Sequence, residues 1–580
     1  MGWMSLKDSK LEEGYASTTV SQFQTPTKES SLGNTASHSV ESDGKKKNPF
    51  VSFAHSFKID KKSYVEGGVE VITPEDTLKP YQVNLIALAS CIGSGLFISS
   101  GSIISSAGAG GAVVGYSIVA VLIFLVSQNL GELTSLYPDV KGNFLHYNAR
   151  FIDESWAFSM SWTYCLQWIV TVPLCLVSAS MTIQFWNDEI NSAAWVAIFF
   201  VFICCTNIFG VKGYGVSESI FSVIKVIAIA GFCILAIILI TGGGKQGYIG
   251  GKNWHPPFVH GIRGVINTLV NAAFSFSGTE LAALAAGESL DPRKTMKKAA
   301  KQMIWRVVFC YMLTIILVCF LVPYNDPDLL GNSNSSASPF VIAIKNGGIK
   351  VLPSIFNVVI LFAVLSVANA SVFATYKALV EIGQSRDGPA FLAYMDRSGR
   401  PIFSILIAVG FGLIAFVCAS GAEETVFAWL LSIAGLSCIF MWFSISLAQV
   451  RVNYACKVQG INLYKPFTSF GGDWGAYASI LINIIILIAQ FYIALYPIGS
   501  PSLKASTFFE AYLCAPVVLV LYVGHKIYCK NWRLYIKAKD MDLLTGKSHV
   551  DVDLMKQEVE EEQRRWASRP FWYKAINIWC

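Results

Sequence analysis

The sequence predicts an all-α polytopic membrane protein with twelve transmembrane helices. Three observations carry that prediction: charge is scarce in the middle of the chain, apolar runs of spanning length follow one another there, and basic residues gather in alternate loops. Of the 580 residues, 53% are apolar and 14% are charged, against about 25% charged in an ordinary globular domain. Residues 1–80 hold 21 of the charged side chains and residues 530–580 hold 18. The 449 residues between them hold 43, too few to cover a soluble domain of that size. A cytosolic enzyme, a secreted disulfide scaffold and a disordered chain are thereby excluded.

Taken in order, residues 1–80 are rich in Ser, Thr, Lys and Glu without apolar periodicity, and they predict a disordered cytosolic N-tail. The first long apolar run begins only near Leu85, so no signal peptide is expected. Twelve candidate spans follow within a membrane domain at 81–529: 82–107, 111–136, 155–185, 192–210, 216–241, 263–287, 303–323, 351–381, 402–420, 424–450, 474–497 and 506–528. Residues 530–580 form a second polar tail. If the N-tail is cytosolic, inside loops carry fifteen basic residues and outside loops six, which puts both termini in the cytosol. A glycosylation sequon at Asn334 then falls outside.

Net charge divides as −1, +5 and +2 over tail, middle and tail, so no nucleic-acid partner is expected. The fourteen cysteines lie mostly in apolar runs without metal-ligand spacing; they read as buried thiols, with no metal and no cofactor. No HExxH, GxSxG or P-loop occurs, and TGGGKQG (241–247) lacks the P-loop spacing. The chain is therefore read as not an enzyme.

Two spans are interrupted. The first has Gly93-Ser94-Gly95 in its middle and the sixth has Ser275, Ser277, Gly278 and Thr279. Glycine and hydroxyl residues at mid-membrane let a helix unwind and free its backbone groups. A lone pair of glycines would more simply mean close helix packing, but breaks five spans apart, in corresponding halves, point to a transporter's substrate site.

The stretches GSGLF (93–97), GELTSLYP (131–138), FSVIKV (221–226), SFSGTEL (275–281), AGESLDPRK (286–294), DRSGRPIFSI (396–405), FAWLLSIAGLS (427–437) and FWYKAINIWC (571–580) resemble the fungal amino-acid permeases of the amino acid–polyamine–organocation superfamily. The resemblance covers residues 75–580, and KAKDMDLLTG (537–546) looks like the general, broad-range members. It implies a LeuT-like 5+5 inverted repeat with broken helices 1 and 6. The first repeat is about 82–241, the second about 263–450, and the helices at 474–528 are peripheral. It also implies proton-coupled import of amino acids across the plasma membrane, with broad or neutral specificity. A non-transporting sensor and a permease of narrow, for example basic, specificity are the alternatives.

In such a fold the backbone N–H groups of Ser94, Gly95 and Leu96 open a half-helix and face a substrate carboxylate. The carbonyls ending the first half of span 6, near Phe276 and Ser277, face the α-ammonium, with Gly278 and Thr279 completing the break. Phe276 is the candidate lid, and Trp429 a second one or a core residue. Charges inside spans need a reason. Lys225 sits mid-span, and in related transporters a lysine here approaches the first break as a coupling cation; snorkelling is the alternative. Glu132 pairs with a loop cation or moves protons. Glu280 titrates or orients the unwound segment, and Glu288 caps or gates the inner end of span 6. Span 3 departs from the family, which usually has Pro-Leu-Glu where this chain has Cys175. That change leans away from Lys or Arg as preferred substrates.

The basic segment DPRKTMKKAAKQ (291–302) predicts a helix on anionic membrane lipid. Lys45, Lys46 and Lys47 are candidate acceptors for the ubiquitin-ligase machinery, with cycling through endosome and vacuole. Cys580 resembles the family's palmitoylation site.

Overall fold

In the computed structural model, residues 92–545 are described apart from 138–142, 187–188, 288–291, 330–337, 397–398, 421–422, 464 and 499–503, with a few positions on either side. Lys45 to Lys47, Glu288, Asn334 and Cys580 lie outside the described residues, so the readings attached to them rest on sequence alone.

Every described element is a helix. In chain order the α-helices are α1 (Ser100–Leu136), α2 (Asn143–Phe151), α3 (Glu154–Ile183), α4 (Ser192–Asn207), α5 (Gly210–Ile240), α6 (Gly261–Phe276), α7 (Leu281–Gly287), α8 (Pro292–Trp305), α9 (Thr314–Leu321), α10 (Pro339–Asn346), α11 (Leu352–Gln384), α12 (Ile402–Phe411), α13 (Glu423–Gln459), α14 (Gly472–Leu495), α15 (Ala505–Tyr512) and α16 (Cys514–Cys529). Short polar residues start several of them. Asp153 accepts from Trp156 N at 3.1 Å ahead of α3, and Asn191 accepts from Ala193 N at 2.9 Å ahead of α4, as side-chain caps do. Pro339 and Pro353 stand in the first turns of α10 and α11, where no N–H is needed.

Eight helices among the described residues are long and apolar enough to cross a membrane, and the pair α15 and α16, bent by 70°, makes a ninth if it forms one span. Differences from the twelve predicted spans have local causes. The first two spans lie within one stretch, Gly95–Leu136, which divides at Gly108, where φ +76° and ψ 175° interrupt the helix between the two predicted spans. The predicted sixth span is two short helices, α6 and α7, separated by a turn. The predicted fourth is the 16-residue α4.

The core lies where α1 packs on α6 and α3 packs on α11 and α13. Trp168, Tyr164 and Trp442 are fully buried there. The outer helices leave apolar side chains exposed, among them Ile227 and Ile234 on α5, Ile488 on α14 and Val520 on α16. Such contiguous apolar faces belong in lipid. The chain is a multi-pass membrane protein.

Residues after α16 are not all free of the bundle. Ile536 N donates to Ile152 O at 2.9 Å, Gln459 Nε2 donates to Met541 O at 2.8 Å, and Arg150 pairs with Asp542 at 3.4 Å. Met541 and Leu543 are buried by this contact. Burial pushes the Asp542 carboxyl up, but hydrogen bonds from Thr545 and Leu544 and the Arg150 charge overcome it and hold the group below the usual carboxylate range. The segment thus joins the ends of α2 and α13.

Candidate functional site

The break before α1 is a π-helical turn, Gly95–Ser99, all of it buried; such turns recur at functional positions in helices. Ser99 and Ser100 donate their hydroxyls back to the carbonyls of Gly95 and Leu96, each at 2.5 Å. These bonds tie the two hydroxyls to the turn's own backbone.

The break after α6 follows from residue type. Phe276 ends the helix, Ser277 is extended at φ −60°, ψ 149°, and Gly278 takes φ +93°, a conformation that a side chain would strain. Helix resumes at Leu281 as α7. Thr279 Oγ1 donates to Phe276 O at 2.9 Å, so that carbonyl keeps one lone pair for a further donor.

The two breaks touch. A Cβ on Gly95 would lie 2.5 Å from Ser275 Cα, a backbone contact that no rotamer change relieves. Ser275 Oγ is 3.0 Å from Tyr116 Oη. The Phe276 ring, fully buried, stands 4.3 Å from that of Tyr311 and 6.0 Å, edge-on, from that of Tyr116. The two interruptions are therefore adjacent inside the bundle.

The charged residues fall in three places. Glu280 is 2% exposed; its Oε1 accepts from Gln167 Nε2 at 3.1 Å and from Gly278 N at 3.4 Å. It belongs to the second break. Lys225 on α5 is buried and its Nζ is 3.5 Å from Glu218 Oε1; Glu218 Oε2 accepts from Ser366 Oγ of α11 at 2.6 Å. Cys175 on α3, within electrostatic reach of Lys225, has its Sγ 3.9 Å from Ser94 Oγ. Cys175 thus joins α3 to the first break. Glu132 stands apart from both breaks, near the end of α1. It pairs with Lys465 and accepts from Ser469 N at 2.8 Å, and Lys465 also donates to Asn453 at 2.7 Å. This network ties α1 to the connection between α13 and α14. Trp429 is half-buried on α13.

Four residues of this region carried no role in the sequence reading. Glu218 lies seven residues before Lys225, a spacing that repeats one helix face and signals the pair. Arg306, counted among loop cations, is buried and donates to Thr279 Oγ1 at 2.9 Å. Tyr116 and Gln167 looked like ordinary span residues, and only the packing of α1 and α3 on the second break gives them partners.

A helical membrane protein whose two interrupted spans meet in its interior has the layout of a solute transporter. The chain belongs to the amino acid permease family, whose pattern it matches over residues 82–538. It is 48% identical over 511 residues to "General amino-acid permease GAP2" of Candida albicans, covering 87% of both chains. It is 46% identical over 529 residues to "General amino-acid permease GAP1" of Saccharomyces cerevisiae, covering 88% of this chain and 87% of the relative. The "Histidine permease" of Saccharomyces cerevisiae is 44% identical, with 85% and 84% covered. A permease family is not an enzyme class.

Proposed function

We propose that this protein is a proton-coupled importer of amino acids at the plasma membrane, of broad specificity, working by alternating access. The observation that carries the reading is the contact of the two helix breaks, Gly95 against Ser275. An amino acid is a zwitterion. The N–H groups of Ser94, Gly95 and Leu96 suit its carboxylate, and the carbonyls of Phe276 and Ser277 suit its ammonium. Because these contacts are made by backbone, they recognise what all amino acids share, which fits the names of the general permeases among its relatives.

The twelve-span, 5+5 inverted-repeat arrangement is part of this proposal. In it, α1 with the π turn before it supplies spans 1 and 2, α6 with α7 forms span 6, and the two pieces of each broken helix swing between states. Gly278 and Thr279 form the hinge, which Arg306 holds through Thr279. Phe276, clamped between Tyr116 and Tyr311, closes over the substrate. For the coupling proton, Glu280 and the Lys225–Glu218 pair are the groups beside the breaks that can exchange one. Glu132 with Lys465 fastens the inner end when the outer end is open.

Uptake of radiolabelled amino acids by cells lacking their own permeases tests the reading. Uptake of several amino acids, faster at acidic than at neutral external pH, is expected. Binding without uptake of any amino acid would instead identify a sensor.

A further inference from the structure

The chain after α16 crosses the end of the bundle that carries the Glu132–Lys465 pair, and it runs without helix from Asn531 to Thr545. Its hold there is made largely by backbone. Six of its carbonyls between Arg533 and Leu543 accept from side chains of the bundle, namely Lys526 of α16, Arg451 and Gln459 of α13, Arg150 of α2 and Tyr137 just past α1. Bonds of this kind exchange for water with little net change, so the segment is fastened in a way that can be undone. Met541 and Leu543, 3% and 1% exposed, are its apolar anchors.

What the segment fastens is α2. This helix is nine residues long, too short to stand by itself. It packs on α3 and α13 and touches α7, the half-helix after the second break. The Phe144 ring meets that of Tyr164 on α3 edge-on at 5.2 Å, and Tyr164 is within electrostatic reach of Glu280. α2 therefore stands between the second break and this end of the bundle. Its far end is held by the tail: Arg150 donates to Asp542 O at 2.8 Å, and Arg451 bridges Phe151 O to Ile536 O.

A second observation says what α2 covers. Asn148 on α2, four residues after Phe144, is 1% exposed, and Gln449 on α13 is fully buried. Neither polar atom of either carboxamide has a hydrogen-bond partner among the described residues. Buried amides left unpaired are costly, and these two fall on helices that pack together. A wall that parts for a polar solute has such groups. They are dry while it is shut, and they meet water or the solute when it opens.

We infer that α2 is a lid across the exit route below the second break, and that residues 533–543 are the latch that holds it shut. The inference rests on the transporter reading above and adds the moving part at this end. With the latch docked, α2 is fixed to α13 and α16 and the route stays closed. With the latch lifted, the short lid keeps only its own packing and swings away from α7.

Arg150 and Asp542 approach to 3.4 Å, so in the double variant Arg150→Cys, Asp542→Cys a membrane-permeant, reducible bis-thiosulfonate reagent ties the latch down. Leucine uptake by cells lacking their own permeases is expected to fall about tenfold or more on cross-linking and to return on reduction, with the unaltered protein given the same reagent as the control. Conversely, Met541→Asp with Leu543→Asp lifts the latch. In membranes from such cells, Asn148→Cys should react with maleimide about fivefold faster in the released chain than in the latched one, read by mass spectrometry at position 148. The cross-link decides alone if the released variant does not reach the membrane. Full uptake with the latch tied, failure of the cross-link to form, or equal labelling at position 148 in both chains would overturn the inference. Absence of uptake by the unaltered, untreated protein would instead refute the transporter reading.

Discussion

Replacing Gly95 by Val is expected to abolish amino-acid uptake while leaving the protein in the membrane. The β-carbon alone would come within 2.5 Å of Ser275 Cα and 3.0 Å of Ser275 N. Carbon atoms repel steeply at such separations, and the atoms in the way are backbone, so the first break must move off the second. The cost falls on the geometry that binds both ends of a zwitterion. Misplacement of about 1 Å in a positioned site costs roughly a hundredfold in rate, and valine demands more than that. The rest of α1 keeps its packing on α6, so the amount of protein at the cell surface is the control. Wild-type uptake by Gly95→Val would refute the proposed site.

The second large effect concerns Lys225. Changing it to Met leaves Glu218 buried without its cation, beside the Ser366 hydroxyl that donates to it. Breaking a buried ion pair by removing one partner typically costs about 3–5 kcal/mol, a large share of the stability of an ordinary domain. Lys225→Met alone should therefore lower the yield of folded protein. The double variant Lys225→Met, Glu218→Gln removes both charges and should recover the yield. If the pair takes part in coupling, the recovered protein still lacks acid-stimulated uptake. If the double variant keeps the wild-type dependence on external pH, the pair is structural and Glu280 is left as the coupling group. Measuring surface protein and pH-dependent uptake on the same cells separates the two roles.

Much of this was legible in the sequence because lipid imposes simple demands on a chain. Apolar runs of spanning length show where helices lie, and Gly-Ser-Gly and Ser-Gly-Thr inside such runs show where two of them break. The positions of Lys225, Glu132 and Glu280 were conspicuous for the same reason. Their partners were not. Lys465 lies 333 residues from Glu132 and Gln167 lies 113 from Glu280, and nothing along the chain records which helix faces meet. The resemblance to amino-acid permeases was carried by motifs at the breaks and loops, which are the parts of the sequence least free to be merely apolar.

The central claim is that backbone at the two breaks binds the carboxylate and the ammonium of the substrate. Competition against labelled leucine uptake tests it most directly, with leucinol lacking the carboxylate and 4-methylpentanoate lacking the ammonium. Both should inhibit about a hundredfold more weakly than unlabelled leucine, since each leaves one set of buried backbone groups unpaired. Inhibition by either compound at the concentrations where leucine inhibits would contradict the account.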